Sequence, residues 1–138
     1  MNVFLLHSRR EVNIGITLLS IGLAILFVMV GVSKLTSQPE TVADFARWNY
    51  PDWFRMTVGL VEVIGAVTLL IPIVAPQMLR PTLFGLTALC VVLIGALYTT
   101  VSAGEMSRVA FTSVVLVFTL LVGVIRQRQE MTRMKAVN

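Results

Sequence analysis

The sequence contains few of the residues from which metal, haem and disulfide sites are built. It has one cysteine, Cys90, and one histidine, His7, so no disulfide can form within the chain. A structural zinc site takes four Cys or His ligands, and a membrane b-type haem takes two axial histidines. Metal and haem sites within a single chain are therefore disfavoured, whereas a site shared between subunits stays open.

Charged residues are also scarce. They make up 13% of the 138 residues, while hydrophobic residues make up 57%, and a typical soluble domain has about 25% charged residues. The net charge of +4 could suggest a nucleic-acid partner, but the basic residues lie in short flanks between apolar runs and form no stripe on a folded face. The composition predicts an integral protein of a lipid bilayer and argues against nucleic-acid binding.

Four long apolar runs predict an all-α fold with four transmembrane helices. The runs cover 14–32, 56–75, 81–101 and 109–125 and contain 19, 20, 21 and 17 residues, and about 20 residues cross the hydrocarbon core of a bilayer. We expect one four-helix bundle domain over 1–138, with helices at about 13–34, 54–75, 79–101 and 107–126. A short interfacial helix is expected at about 38–48, between the first and second spans.

The distribution of Lys and Arg predicts the orientation of the bundle. Seven of these residues flank the runs on the side of the two termini and four lie on the opposite side, where four acidic residues offset them. The positive-inside rule then places both termini in the cytoplasm. The seven are Arg9, Arg10, Arg80, Arg126, Arg128, Arg133 and Lys135; the four are Lys34, Arg47, Arg55 and Arg108.

The longest connection, 33–55, carries most of the aromatic residues outside the runs. Ser37 followed by Glu40 has the spacing of a capping box, so a short helix is expected to begin near Ser37. Val42, Phe45 and Ala46 are expected to share one face of it. The helix should end before Pro51, and the aromatic cluster indicates either a belt at head-group depth or a substrate lid. The cluster is Trp48, Tyr50, Trp53 and Phe54.

Glu62 is the only charged residue inside any of the four runs. An acidic residue at the centre of a membrane helix costs about 2.5 to 3.5 kcal/mol on insertion scales, so it should have a partner. Lys34 closes the first helix on the same membrane side and is the favoured partner. Arg55 is the rival, but it lies seven residues before Glu62, about 10.5 Å away along the helix axis.

Two interpretations of Glu62 stay open. In the first it is a structural acid, paired between packed helices. In the second it carries a proton or anchors a ligand in a cavity, because ionisable residues inside membranes often mark such paths. Candidate lining residues of that cavity are Tyr98, Thr99, Trp48, Trp53 and Arg55, although the hydroxyl groups could instead bond to helix carbonyls.

Three short motifs lie around the junction of the first two runs. They are Gly-x-x-Lys-Leu, Tyr-Pro-x-Trp and Gly-x-x-Glu followed by a further glycine, within the segments 27–37 and 49–72. In these motifs and in helix count, the chain resembles the DoxX-like family of small four-helix membrane proteins. The residues that fill the motifs are Gly31, Lys34, Leu35, Tyr50, Pro51, Trp53, Gly59, Glu62 and Gly65.

The resemblance implies a bundle in the plasma membrane in which a lysine and a glutamate lie near one another. It links some members to quinone-coupled sulfur oxidation or redox-protective membrane complexes, and others to membrane-protein assembly. Many relatives carry a histidine near the outer end of the third helix, where this chain has Tyr98, Thr99 and Thr100. The resemblance therefore gives no support here to a function that rests on that imidazole.

Three functional hypotheses follow. The first is an accessory protein that binds a small apolar ligand, a lipid or a partner membrane protein. It is favoured because the sequence supplies no nucleotide-binding loop, no metal cluster, no pair of haem ligands and no nucleophile with a base. The second is a membrane subunit of a quinone-linked oxidoreductase, with Glu62 taking a proton and Tyr98 or Thr99 holding a quinone carbonyl. The third is a small proton-coupled transporter, which would need a homo-oligomer to build a two-sided path. Whether the chain is an enzyme stays open.

Overall fold

The structure, a computed structural model, describes residues 2–75 and 78–137, with side chains at 13–75, 78–132, 134 and 135. Over these residues the chain is all α-helical, and the predicted fold class is confirmed. A short helix lies between the first and second of four long helices. The helices are α1 Asn2–Leu35, α2 Pro39–Arg47, α3 Asp52–Val74, α4 Arg80–Ser102 and α5 Met106–Val137.

Each long helix contains an apolar segment that is long enough to cross a membrane. These segments contain 23, 23, 23 and 27 residues, and 23 helical residues extend about 34 Å. Large apolar side chains cover their outer faces, as lipid contact requires. Examples from all four helices are Leu18, Ile25, Met29, Ile64, Phe84, Ile94, Phe111 and Val117.

The first and last helices extend beyond the apolar runs. α1 begins at Asn2 rather than near residue 13, and α5 continues to Val137 rather than ending near 126. The turns added to α5, 127–137, are rich in Arg, Gln, Glu and Met, which form helix readily in water, and those added to α1 contain Arg9, Arg10 and Glu11. Among the residues used to predict orientation, the side chains of Arg9, Arg10 and Arg133 lie outside the described residues.

Helix α3 packs between α1 and α4, and α4 packs between α3 and α5. Glycines let the backbones approach. A Cβ atom on Gly31 would lie 2.8 Å from the carbonyl oxygen of Gly59, and one on Gly65 would lie 2.6 Å from Cγ of Leu89. Small residues at helix crossings give the dense packing on which membrane bundles depend. The apolar core beside them includes Ile16, Leu23, Ala24, Phe27, Ala66, Leu69, Leu86 and Leu89.

Pro72 lies inside α3 without exposing the carbonyl that it leaves unbonded. A proline has no N–H, so the carbonyl four residues earlier, that of Thr68, loses its helical partner. Thr82 of α4 donates its hydroxyl proton to this carbonyl at 2.8 Å. Both Pro72 and Thr82 are buried. The hydrogen bond satisfies a backbone group that lipid could not, and it fixes α4 against α3 at the end of the bundle remote from α2.

Helix α2 begins differently from the prediction. Its N-cap is Gln38, which makes no side-chain capping bond, and Pro39 occupies the first turn. Ser37 instead adopts a left-handed conformation with φ of 54°, and its hydroxyl oxygen accepts a hydrogen bond from Arg55. The prediction of a capping box at Ser37 is therefore wrong, because Ser37 forms the turn that ends α1. Asn49, with φ of 61°, makes the corresponding turn after α2.

Candidate functional site

Lys34 and Glu62 form an ion pair between α1 and α3. The ammonium of Lys34 donates to both carboxylate oxygens of Glu62, at 2.9 Å to Oε1 and 2.7 Å to Oε2. The two residues are only 9% and 4% exposed. Gly31 and Gly59, one turn before each of them, let the two helices approach closely enough for this contact. The pair is the partnership that a carboxylate inside a membrane helix requires.

Arg55 stabilises the end of α1 that carries Lys34 and makes no contact with Glu62. It is 2% exposed, and its Nη1 donates to the backbone carbonyl of Lys34. The same guanidinium donates to the hydroxyl of Ser37 at 3.0 Å. The last carbonyls of a helix have no partner within it, and a cation there also interacts favourably with the helix dipole. Arg55 therefore closes the C-terminus of α1 and fixes the position from which Lys34 reaches inward.

A cavity of about 680 Å³ opens beside the ion pair. Helices α1 to α4 enclose it, and Arg108 at the start of α5 contributes to one side. Its walls are mainly apolar, and Lys34 and Glu62 form a buried polar point on them. Small ligands are commonly held in concave, mostly apolar sites with a few polar groups that fix their orientation. The apolar wall residues are Val30, Val58, Val61, Ala88, Val91, Val92, Gly95 and Ala96.

Four aromatic residues cover the cavity at the end of the bundle where α2 lies; we call them the aromatic roof. They are Phe45, Trp48, Tyr50 and Phe54, and all four line the cavity. Their rings form a connected cluster with centroids 4.9 to 6.5 Å apart, which is the normal range for aromatic pairs. The hydroxyl groups of Tyr50 and Thr99 lie 3.0 Å apart, which ties the roof to α4.

A charge network holds α2 to the turn between α4 and α5. Arg47 lies 2.8 Å from Asp44 and 2.5 Å from Glu105, and Arg108 lies 2.6 Å from Asp44 and 3.3 Å from Glu105. The guanidinium carbons of Arg47 and Arg108 also lie 5.9 and 5.7 Å from the ring centre of Trp48. Cations at this distance are attracted to an indole face. The network thus fixes both the position of α2 and one member of the aromatic roof.

Only some of the predicted lining residues reach the cavity. Trp48 and Thr99 line it together with the ion pair. Tyr98 and Trp53 are 73% and 67% exposed, and neither lines the cavity. Tyr98 lies one residue before Thr99, and a step of one residue turns a helix by about 100°. Arg55 is buried behind the pair and also does not line the cavity.

Sequence reasoning missed the polar face of α2. Val42, Phe45 and Ala46 were expected to share a face, but Ala46 is exposed, and the cavity is lined by Thr41, Asp44, Phe45 and Trp48. These four residues have the i, i+3, i+4, i+7 spacing of one helix face. That spacing was the available signal. The aspartate obscures it, because a charged side chain is not expected on the same face as Phe45, whereas Asp44 is paired with two arginines.

The described residues contain no group of three or more His, Cys, Asp or Glu side chains that could hold a metal ion. What the fold and site define is a multi-pass helical membrane protein with an internal ion pair beside an apolar cavity. The DoxX-like family matches residues 18–122, a segment that contains every cavity-lining residue. The chain therefore belongs to the DoxX-like family. No curated protein and no solved structure matched the chain in the corresponding comparisons.

Proposed function

We propose that this DoxX-like integral membrane protein binds a small apolar molecule in the cavity beside Lys34 and Glu62, as an accessory protein without catalytic machinery of its own. The observation that carries the proposal is the cavity itself. A space of about 680 Å³ lies within the range of small-molecule sites. Its walls are aliphatic, and aromatic rings cover it. The buried ion pair of Lys34 and Glu62 is the polar group against which a ligand can be oriented.

The exposure of the wall residues supports a ligand that comes from the bilayer. Among the residues of α3 and α4 that line the cavity, three are also exposed: Thr57, Val91 and Gly95. α3 and α4 pack tightly at Gly65 and at Gly85, in the other half of the bundle. We infer that an apolar molecule enters sideways from lipid between the remaining halves of α3 and α4, and that the aromatic roof closes the end of the cavity where α2 lies.

The distribution of basic residues supports an orientation for the site. With both termini in the cytoplasm, as the seven-to-four excess of Lys and Arg favours, α2 and the cavity would lie in the outer half of the plasma (inner) membrane that the resemblance implies. A ligand would then be taken from the outer leaflet. A partner membrane protein or a second copy of the chain would contact the lipid-facing sides of the bundle and would leave this path open or cover it.

The experiment is to identify molecules that purify with the protein. The protein is extracted directly into lipid nanodiscs, and bound small molecules are quantified by mass spectrometry against empty discs from the same membranes. Gly95→Leu should reduce the bound molecule several-fold, because Gly95 lines the cavity and a Cβ there meets nothing within 4 Å. Gly22→Leu is the matched control, since it also meets nothing but lies away from the cavity. Equal retention in both variants would refute the proposal.

A second candidate function is a membrane subunit of a quinone-linked oxidoreductase. The observation that favours it is the position of Glu62, a carboxylate that both lines the cavity and is bonded to an ammonium able to exchange a proton with it. It requires an electron donor in a partner subunit, two electrons and two protons for each quinone reduced to quinol. A copurifying quinone, together with a saturable reduction that Glu62→Gln abolishes, would support this function over simple binding.

A further inference from the structure

We infer that the ligand of this cavity is an uncharged molecule that brings hydrogen-bond acceptors, such as the carbonyl oxygen of a ketone, an ester or a quinone. The inference rests on the proposed function, because it describes the occupant of the same cavity. It comes from the charges and the hydrogen-bond donors of the lining residues, considered one group at a time.

The charged residues of the cavity are already paired with one another. Four of them line it, two of each sign. Lys34 lies 2.7 Å from Glu62, and Arg108 lies 2.6 Å from Asp44. A charged head group entering this space would lose its hydration and find no unpaired opposite charge in the described lining. Desolvation without a partner is strongly unfavourable, so the cavity selects against both anions and cations.

The hydroxyl protons of the cavity are also in use. Ser33, Thr57 and Thr99 donate to the backbone carbonyls of Val30, Trp53 and Gly95, at 2.7, 2.8 and 3.0 Å. Because the Thr99 proton goes to Gly95, Tyr50 must be the donor in its 3.0 Å bond to Thr99. Thr41 donates to Ser33 at 3.5 Å. None of these five hydroxyl groups has a proton left for a ligand.

The remaining donors belong to the two cations. Arg108 has five N–H groups, and its described bonds go to Asp44 and Glu105. Lys34 has three N–H groups, and its described bonds take two, one to each oxygen of Glu62. Buried N–H groups without partners are rare, whereas spare lone pairs on oxygen are tolerated more often. The lining therefore needs acceptors from its occupant more than it needs donors.

The test uses four ten-carbon probes and NMR of the full-length protein in nanodiscs. The probes are 2-decanone, decane, decyl sulfate and decyltrimethylammonium, compared at equal mole fraction in the bilayer. Nitrogen-15 labelling of lysine gives two side-chain ammonium signals, those of Lys34 and Lys135, and Lys135→Gln identifies that of Lys34. The methyl signal of Ala88, which lines the cavity, reports occupancy independently of any hydrogen bond. Lys135, which is exposed, is the internal control.

The inference predicts that 2-decanone shifts both the methyl signal of Ala88 and the ammonium signal of Lys34. Decane should shift Ala88 alone, and both charged probes should occupy the cavity about tenfold more weakly than the ketone. Occupancy by 2-decanone without movement of the Lys34 ammonium signal would overturn the inference while leaving the proposed function intact. Tighter binding of either charged probe would do the same. If no probe shifts Ala88, the proposed function falls as well.

Discussion

The Nζ atom of Lys34 lies within 2.9 Å of both carboxylate oxygens of Glu62, across the closest approach of α1 and α3. The two residues are 28 positions apart in the chain, and each is the only buried charge of its sign in the wall of the cavity. The pair joins two helices and at the same time forms the polar point of the cavity. Its removal should therefore affect stability and binding together.

The first prediction concerns the stability of this pair. Glu62→Gln and Lys34→Met should each lower the free energy of unfolding by about 3 to 5 kcal/mol, because each leaves a buried charge without its partner. The double variant should lose less than the sum of the two. Unfolding is measured by SDS titration in mixed micelles. Arg80→Gln is the control, since Arg80 lies 3.8 Å from Glu130 but is 79% exposed, and it should change little. Strictly additive losses would contradict the contact.

The second prediction concerns the glycines that position the pair. A Cβ on Gly59 would lie 2.8 Å from Cβ of Lys34 and 2.9 Å from the carbonyl oxygen of Gly31. Gly59→Ala should separate the helices and reduce stability by about 1 to 3 kcal/mol. Gly22→Ala meets nothing within 4 Å and should be neutral or stabilising by up to about 1 kcal/mol. The same SDS titration compares them, and similar effects at the two positions would count against close packing at Gly59.

The third prediction concerns the charge network that holds α2. Asp44→Asn weakens the pairs with Arg47 and Arg108. Partly exposed ion pairs contribute about 0.2 to 1 kcal/mol each, so amide exchange in α2 should become about three- to tenfold faster. Exchange in α3 should stay unchanged. Hydrogen–deuterium exchange of the peptide covering Pro39–Arg47 measures this, with Glu40→Gln as the control on the same helix, where Glu40 is exposed. Equal acceleration in both variants would argue against the network.

The fourth prediction separates two tyrosines. Tyr50→Phe removes the hydrogen bond to Thr99 that ties the aromatic roof to α4, and should lower stability by about 0.5 to 1.5 kcal/mol. It should also release the bound molecule more readily, because the roof then opens more often. Tyr98→Phe changes a side chain that is 73% exposed and should leave both quantities unchanged. A reversed order of effects would show that the cavity is lined by the other tyrosine.

Much of this arrangement was predictable because a membrane imposes strong constraints on sequence. The four apolar runs have no alternative to helices in lipid, and a lone carboxylate within one of them requires a partner. Lys34 could be chosen because the topology brings the end of α1 and the start of α3 to the same side. Trp48 and Thr99 come from segments that meet at that end of the bundle, and both line the cavity.

The remainder depended on rotations and turns that composition does not determine. Whether Tyr98 or Thr99 faces inward depends on the rotation of α4, which is set by contacts such as the bond from Thr82 to Thr68. The role of Arg55 was missed because it depends on the turn at Ser37, where a capping box had been expected. The pairing of Asp44 with Arg108 joins residues 64 positions apart, and no local pattern indicates it.

The most direct measurement is photo-crosslinking with an apolar diazirine probe in nanodiscs, followed by peptide mass spectrometry. The account predicts that excess unlabelled apolar competitor removes the adducts on Val58, Val61 and Val92, which line the cavity. Adducts on lipid-facing Leu18 and Phe111, which are exposed, should remain because bulk lipid contact does not saturate. Gly95→Leu should abolish only the cavity adducts. Equal labelling of cavity and lipid-facing residues, with no competition at either, would contradict a binding site.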